Sequence, residues 1–176
     1  GVDFAVLGPA EGCCGETARR LGHEYLFQVM AEENIASFNS VSFERIVTPC
    51  AHCFNTLKNE YPQFGGNYRV QHHTELLQEL LHDGRLKMQV GADNAQYSYH
   101  DSCYLGRYNQ IYQQPRAALD AIPSVRRTEM PRKLADGFCC GGGGGQMWME
   151  TDPNTRINHR RLDEAMSEGQ ADVVVT

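Results

Sequence analysis

Seven cysteines carry the chemistry of this 176-residue chain. Cys13-Cys14 and Cys139-Cys140 are adjacent pairs, Cys50 and Cys53 form a C-x-x-C, and Cys103 stands alone. An odd number suits a disulfide framework poorly. Neighbouring cysteines seldom bridge each other, because a disulfide needs Cα atoms farther apart and correctly aimed. Soft thiolates gathered beside glycines are what iron–sulfur clusters or zinc require. Buried structural thiols in a reducing compartment explain one or two of the seven, but not a repeated pattern. A dithiol on Cys50 and Cys53 is a third reading, and it leaves the other five idle.

The pattern repeats. Gly12-Cys13-Cys14-Gly15 is followed by a helical stretch, then Arg45-Ile46-Val47-Thr48, then Pro49-Cys50-Ala51-His52-Cys53. Phe138-Cys139-Cys140-Gly141 is followed by a helical stretch and by Ala171-Asp172-Val173-Val174-Val175-Thr176. Superposing the two Cys-Cys pairs sets Ile46-Val47-Thr48 against Val174-Val175-Thr176 with a two-residue offset. Continued, the repeat expects a second C-x-x-C about two residues past Thr176, by the spacing logic of internal repeats. Cys103 precedes Cys139 by 36 positions, which expects a matching cysteine upstream of Gly1. The chain reads as an excerpt with two modules, residues 1–90 and 91–176, each holding part of a five-cysteine set.

The flanking residues agree with this chemistry. Five glycines, Gly141 to Gly145, follow the second pair. Such a loop brings backbone close and turns N–H groups toward an anion. N–H donors to cluster sulfur raise its reduction potential. No Lys-Ser or Lys-Thr follows the glycines, so a nucleotide loop is disfavoured. His52 and His100, beside Cys50/Cys53 and Cys103, read as neighbours of the sulfur sites rather than ligands. His72-His73 reads as a surface or capping feature, and Met147-Trp148-Met149 as packing around the site.

The elements expected to position these residues alternate strand and helix. Strands are expected at 2–7, 42–47, 68–71, 96–100 and in the final apolar run. Helices are expected at 16–33, 54–61, 74–82 and 154–168, bounded by Gly and Pro punctuation. Alternation of this kind predicts an α/β fold: two pseudo-repeated lobes of short, parallel sheets with flanking helices. Ligands on such sheets collect at the carboxyl ends of strands, where the cysteine loops fall.

Composition removes whole classes. A net charge of −6 argues against a nucleic-acid partner, which needs basic patches to displace counterions. The short basic clusters Arg126-Arg127, Arg132-Lys133 and Arg160-Arg161 read as solvated surface. No apolar run is long enough to span a bilayer, and no basic leader resembles a signal peptide. A cytoplasmic setting is expected, with membrane association through other parts of a parent protein. No flavin or nicotinamide fingerprint is present, so hydride chemistry belongs to another domain or subunit.

Together, Cys13-Cys14-Gly15 with Cys50-Ala51-His52-Cys53, and His100-Asp101-Ser102-Cys103 with Cys139-Cys140-Gly141, resemble the CCG cysteine-rich domain. That family includes heterodisulfide reductase subunits B and D and the iron–sulfur subunit of glycolate oxidase. The runs Cys13 to Gly22 and His72 to Leu77 look closest to iron–sulfur oxidoreductases serving electron-transfer flavoproteins. The resemblance implies a [4Fe–4S] cluster of the non-cubane kind. Cys13, Cys14, Cys50 and Cys53 would hold the first site, with zinc as an alternative occupant there. Cys103, Cys139 and Cys140 would hold the second. It also implies an enzyme subunit relaying electrons between a flavoprotein, or another redox subunit, and a quinone or disulfide acceptor. The alternative is a structural zinc module that docks partners without redox chemistry.

Overall fold

A computed structural model describes residues 1–89 and 95–176. The chain forms two compact units, Gly1–His72 and His73–Thr176. The module boundary expected at 90/91 lies outside the described residues.

In the first unit, α1 (Glu16–Arg20) and α2 (Glu24–Asn39) replace the single helix expected over 16–33. The chain turns at Leu21-Gly22, and His23 restarts the helix by accepting the Leu26 N–H on its ring nitrogen. Phe27, Ala31 and Ile35 recur along α2 at helical spacing and are buried together with Leu57 and Tyr61. The sheet is a parallel pair, β1 (Ile46–Thr48) and β2 (Val70–His72), in register Ile46 to Val70 and Thr48 to His72. Only the end of the strand expected at 42–47 pairs. A helix, α3 (Ala51–Asn55), begins directly after Cys50 and runs on through a π-helical turn, Thr56–Glu60, into a 3₁₀ turn, Tyr61–Phe64. The C-x-x-C therefore spans a helix N-terminus rather than the loop expected before a helix at 54. Residues 2–7 form no strand: they have no sheet neighbour, and Phe4 and Val6 are more than three-quarters exposed.

In the second unit, β3 (Gln96–Tyr99) lies between β4 (Arg126–Thr128) and β5 (Val173–Val175), all parallel. Helix α4 (His73–His82) packs against α5 (Gln113–Asp120). Helix α6 (Ile157–Asp163) continues in a π-helical turn, Glu164–Glu168. Neither α5 nor β4 is anticipated from hydrophobic pattern, since β4 reads Arg-Arg-Thr and α5 is rich in Gln and Arg. Both short sheets being parallel, with helices on them, the chain is an α/β fold of two lobes.

Polar residues hold the second unit from within. Arg116, buried, forms paired hydrogen bonds to Asp101 at 2.7 and 2.8 Å and to Glu129 at 2.8 and 3.0 Å. Arg127 pairs with Asp120 at 2.8 and 2.9 Å and also reaches Glu129. Arg161 is buried, donating to His100 Nδ1 at 3.0 Å and to Glu164 at 2.9 Å, where Arg132 also binds. One member of each basic cluster, Arg127, Arg132 and Arg161, thus pairs with an acid, while Arg126, Lys133 and Arg160 lie exposed as the sequence suggests.

Candidate metal centres

Two short loops deliver the first thiol set. Gly15 caps α1 in the left-handed region at φ +78°, and a Cβ there would sit 2.9 Å from the Phe27 ring. Only glycine fits that turn. Its N–H points back at Cys13 Sγ, 3.5 Å away. Across the unit, Cys50 precedes α3, with its backbone N–H donating to Thr48 Oγ1 at the end of β1.

Glu60 ties the two loops together. Arg19 donates to it at 2.9 Å and Arg20 also pairs with it, both from α1, while Asn55 donates from the end of α3 at 3.2 Å. The result brings Cys14 Sγ within 3.3 Å of Cys53 Sγ. Cys53 packs against the apolar core. Its thiol is driven far above the ordinary range by hydrogen bonding to Cys14 and Cys50, with burial adding to the effect. Cys50 is correspondingly pulled down to about 5, first by the Cys53 thiol and also by the N–H groups of Cys53 and His52, against burial. Cys14 is lowered by the same Cys53 proton. The Cys53 thiol thus lowers both Cys14 and Cys50, and is itself raised by them.

His52 reaches not sulfur but the buried Glu16 carboxylate, Nδ1 to Oε1 at 3.2 Å, which raises its pKa. The backbone of the Cys-Cys pair is held from behind. Asn34 donates to the Cys13 carbonyl at 2.8 Å and to Tyr61 Oη at 3.0 Å, and Tyr61 Oη donates to the Cys14 carbonyl at 3.1 Å. His72, expected at the surface, is buried with Nε2 3.1 Å from the Pro49 carbonyl.

The second unit repeats the first locally. Gly141 takes φ +75°, and its N–H points at Cys139 Sγ, 3.3 Å away, as Gly15 does at Cys13. Gly142 does the same to Cys140 at 3.4 Å. Cys103 follows β3, and its thiol is pushed up by burial and by its neighbours Cys140 and Cys139. Arg107 fastens that segment to the loop before Cys139 by donating to the Gly137 and Ala135 carbonyls at 2.7 and 3.2 Å. Asp101 accepts the Leu134 N–H at 2.7 Å.

All seven cysteines are free thiols, with Cys13, Cys50, Cys139 and Cys140 exposed. Among the described residues no three His, Cys, Asp or Glu side chains converge as a ready metal-ion set.

The family model of the CCG cysteine-rich domain matches residues 1–58 and 97–176, the stretches that carry both thiol sets. The chain belongs to the CCG cysteine-rich domain family. It is 49% identical, over 95% of its length, to the probable iron-sulfur-binding oxidoreductase FadF of Bacillus subtilis. It is 44% identical, over 94% of its length, to the EtfAB:quinone oxidoreductase of Syntrophomonas wolfei. To a subunit of the dihydromethanophenazine:CoB–CoM heterodisulfide reductase of Methanosarcina acetivorans it is 31% identical over 99%. The chain spans 24%, 24% and 44% of those three relatives, respectively. No solved structure matches it.

Several residues of this CCG chain escaped sequence reasoning. Asn34, Tyr61 and Glu60 lie inside ordinary helical pattern and carry no motif. A polar Asn at a core-facing position of α2 was the available signal. Trp148, expected to pack at the site, is three-quarters exposed.

Proposed function

We propose that the chain is an iron–sulfur electron-transfer module of an oxidoreductase. In this reading Cys13, Cys14, Cys50 and Cys53 hold the first cluster. Cys103, Cys139 and Cys140 hold the second, with further ligands from the parent protein. The observation that carries it is the recurring sulfur environment: a left-handed glycine after each Cys-Cys pair aims its N–H at the first sulfur. Such donors offset the charge of a thiolate-ligated cluster and tune its potential. The relatives named for iron–sulfur binding, quinone reduction and heterodisulfide reduction support the same class.

The donor set fits such a group in chemistry. Thiolates are the ligands of iron–sulfur clusters, and the lowered pKa values of Cys14 and Cys50 ready both for binding. A bound cluster supplies reversible one-electron transfer between a flavin-bearing partner and a quinone or disulfide acceptor. The protein's part is to hold and shield. Cys53 gives up its proton on loading, since metal ligation requires the thiolate. Cys14 and Cys53 already stand side by side, with their Sγ atoms 3.3 Å apart. The Phe27–Tyr61 core behind Cys53 keeps water from that side.

Iron, zinc and acid-labile sulfide measured on protein purified without oxygen test this reading. Iron with matching sulfide, and an absorbance that bleaches on reduction, is the expected result. Zinc without sulfide would replace it with a structural docking module.

A further inference from the structure

Adjacent residues in extended backbone send their side chains, and their carbonyls, to opposite sides. The carbonyls of Cys13 and Cys14 do not. Their two successive carbonyls accept hydrogen bonds from one buried pair, Asn34 Nδ2 and Tyr61 Oη, whose polar atoms are themselves 3.0 Å apart. Both partners are held rigidly. Tyr61 is fully buried in edge-to-face contact with Phe27, and Asn34 is buried on the core-facing side of α2. The two carbonyls are thus anchored side by side, with Cys13 exposed and Cys14 half-buried, its Sγ 3.3 Å from Cys53 Sγ.

We propose that Asn34 and Tyr61 are positioning residues that present Cys13 and Cys14 as a pair to one metal group. The inference rests on the assignment of these thiols as ligands. The Tyr61 hydroxyl donates to the Cys14 carbonyl and accepts from Asn34. Its hydroxyl has no other task visible in the fold: the ring alone fills the core, and the proton goes to Cys14. The same holds for Asn34, whose amide donates both to a cysteine carbonyl and to that hydroxyl.

The test uses cobalt(II) as the probe, read by thiolate-to-cobalt charge transfer. It is made on the metal-free chain carrying C103S, C139S and C140S, so that only the first set reports. Tyr61→Phe keeps the ring and removes the donor. Loss of one such bond weakens cobalt affinity about three- to tenfold, with thermal unfolding still cooperative and the charge-transfer band shifted. Asn34→Leu gives a loss at least as large. Tyr104→Phe, at a buried tyrosine of the other unit, leaves affinity unchanged. Equal affinity and an identical band in folded Tyr61→Phe overturn the positioning role while leaving the ligands in place. Failure of the unsubstituted chain to bind cobalt at all overturns the ligand assignment, and the positioning role with it.

Discussion

At the scale of single residues, the thiols differ because their surroundings differ. Cys50 stands at the start of α3, where the Cys53 proton and two backbone N–H groups stabilise its charge. Cys103 is half-buried, and that burial, with the neighbouring thiols of Cys140 and Cys139, raises its pKa. In the metal-free chain, iodoacetamide is therefore expected to alkylate Cys50 faster than Cys103 at pH 7, read by peptide mass. The Cys50 rate should stay level down to about pH 5, and the contrast should vanish in denaturant. Equal rates in the folded chain would refute the activation of Cys50 at the start of α3. The seven ligand candidates were legible from residue type and spacing alone. The residues behind them were not, because a hydrogen bond such as Asn34 to the Cys13 carbonyl joins positions 21 apart and leaves no periodic trace.

Among the elements, what brings one cysteine loop to the other is a hinge of charge and a turn only glycine can make. Gly15→Ala places a Cβ against Phe27 in left-handed backbone. It should cost at least about 2 kcal/mol in urea unfolding, from strain and overlap combined. Arg116→Met removes the cation between buried Asp101 and the Glu129 carboxylate, with an expected loss of about 3–5 kcal/mol, since the acids are left uncompensated. A loss under about 1 kcal/mol would mean that the pair is solvated and not structural. Helix and strand order was readable where pattern was strong, as in α2, α4 and β5. It failed at residues 2–7, which alternate like a strand but have no sheet neighbour. It also failed at β4, where Arg126 to Thr128 join the sheet because β3 offers an edge and Arg127 finds Asp120 and Glu129. The break at Leu21-Gly22 is set by capping of α2 by His23, and α3 starts where Cys50 leaves extended backbone, neither of which local periodicity reports.

For the whole molecule, no described helix is long and apolar enough to cross a membrane. Acid should loosen the second unit in a defined window. Burial and Arg161 lower the His100 pKa to about 4, below its value in an unfolded chain. The unfolded state then binds the proton more readily, so stability is full above about pH 6.5 and falls as pH drops toward 4. The loss from this residue is on the order of 3 kcal/mol. Asp101, Glu129 and Glu164, lowered by their arginine partners against burial, add losses at still lower pH. His100→Gln should flatten the slope between pH 6.5 and 4 in urea midpoints, and an unchanged slope would assign it elsewhere. The central claim, that the two thiol sets serve iron–sulfur chemistry, is tested most directly by metal and sulfide content. The protein, purified without oxygen, should carry iron and acid-labile sulfide in equal amounts, and each set's share should disappear in Cys50→Ser or Cys103→Ser. Zinc without sulfide, or iron content indifferent to both substitutions, would contradict it.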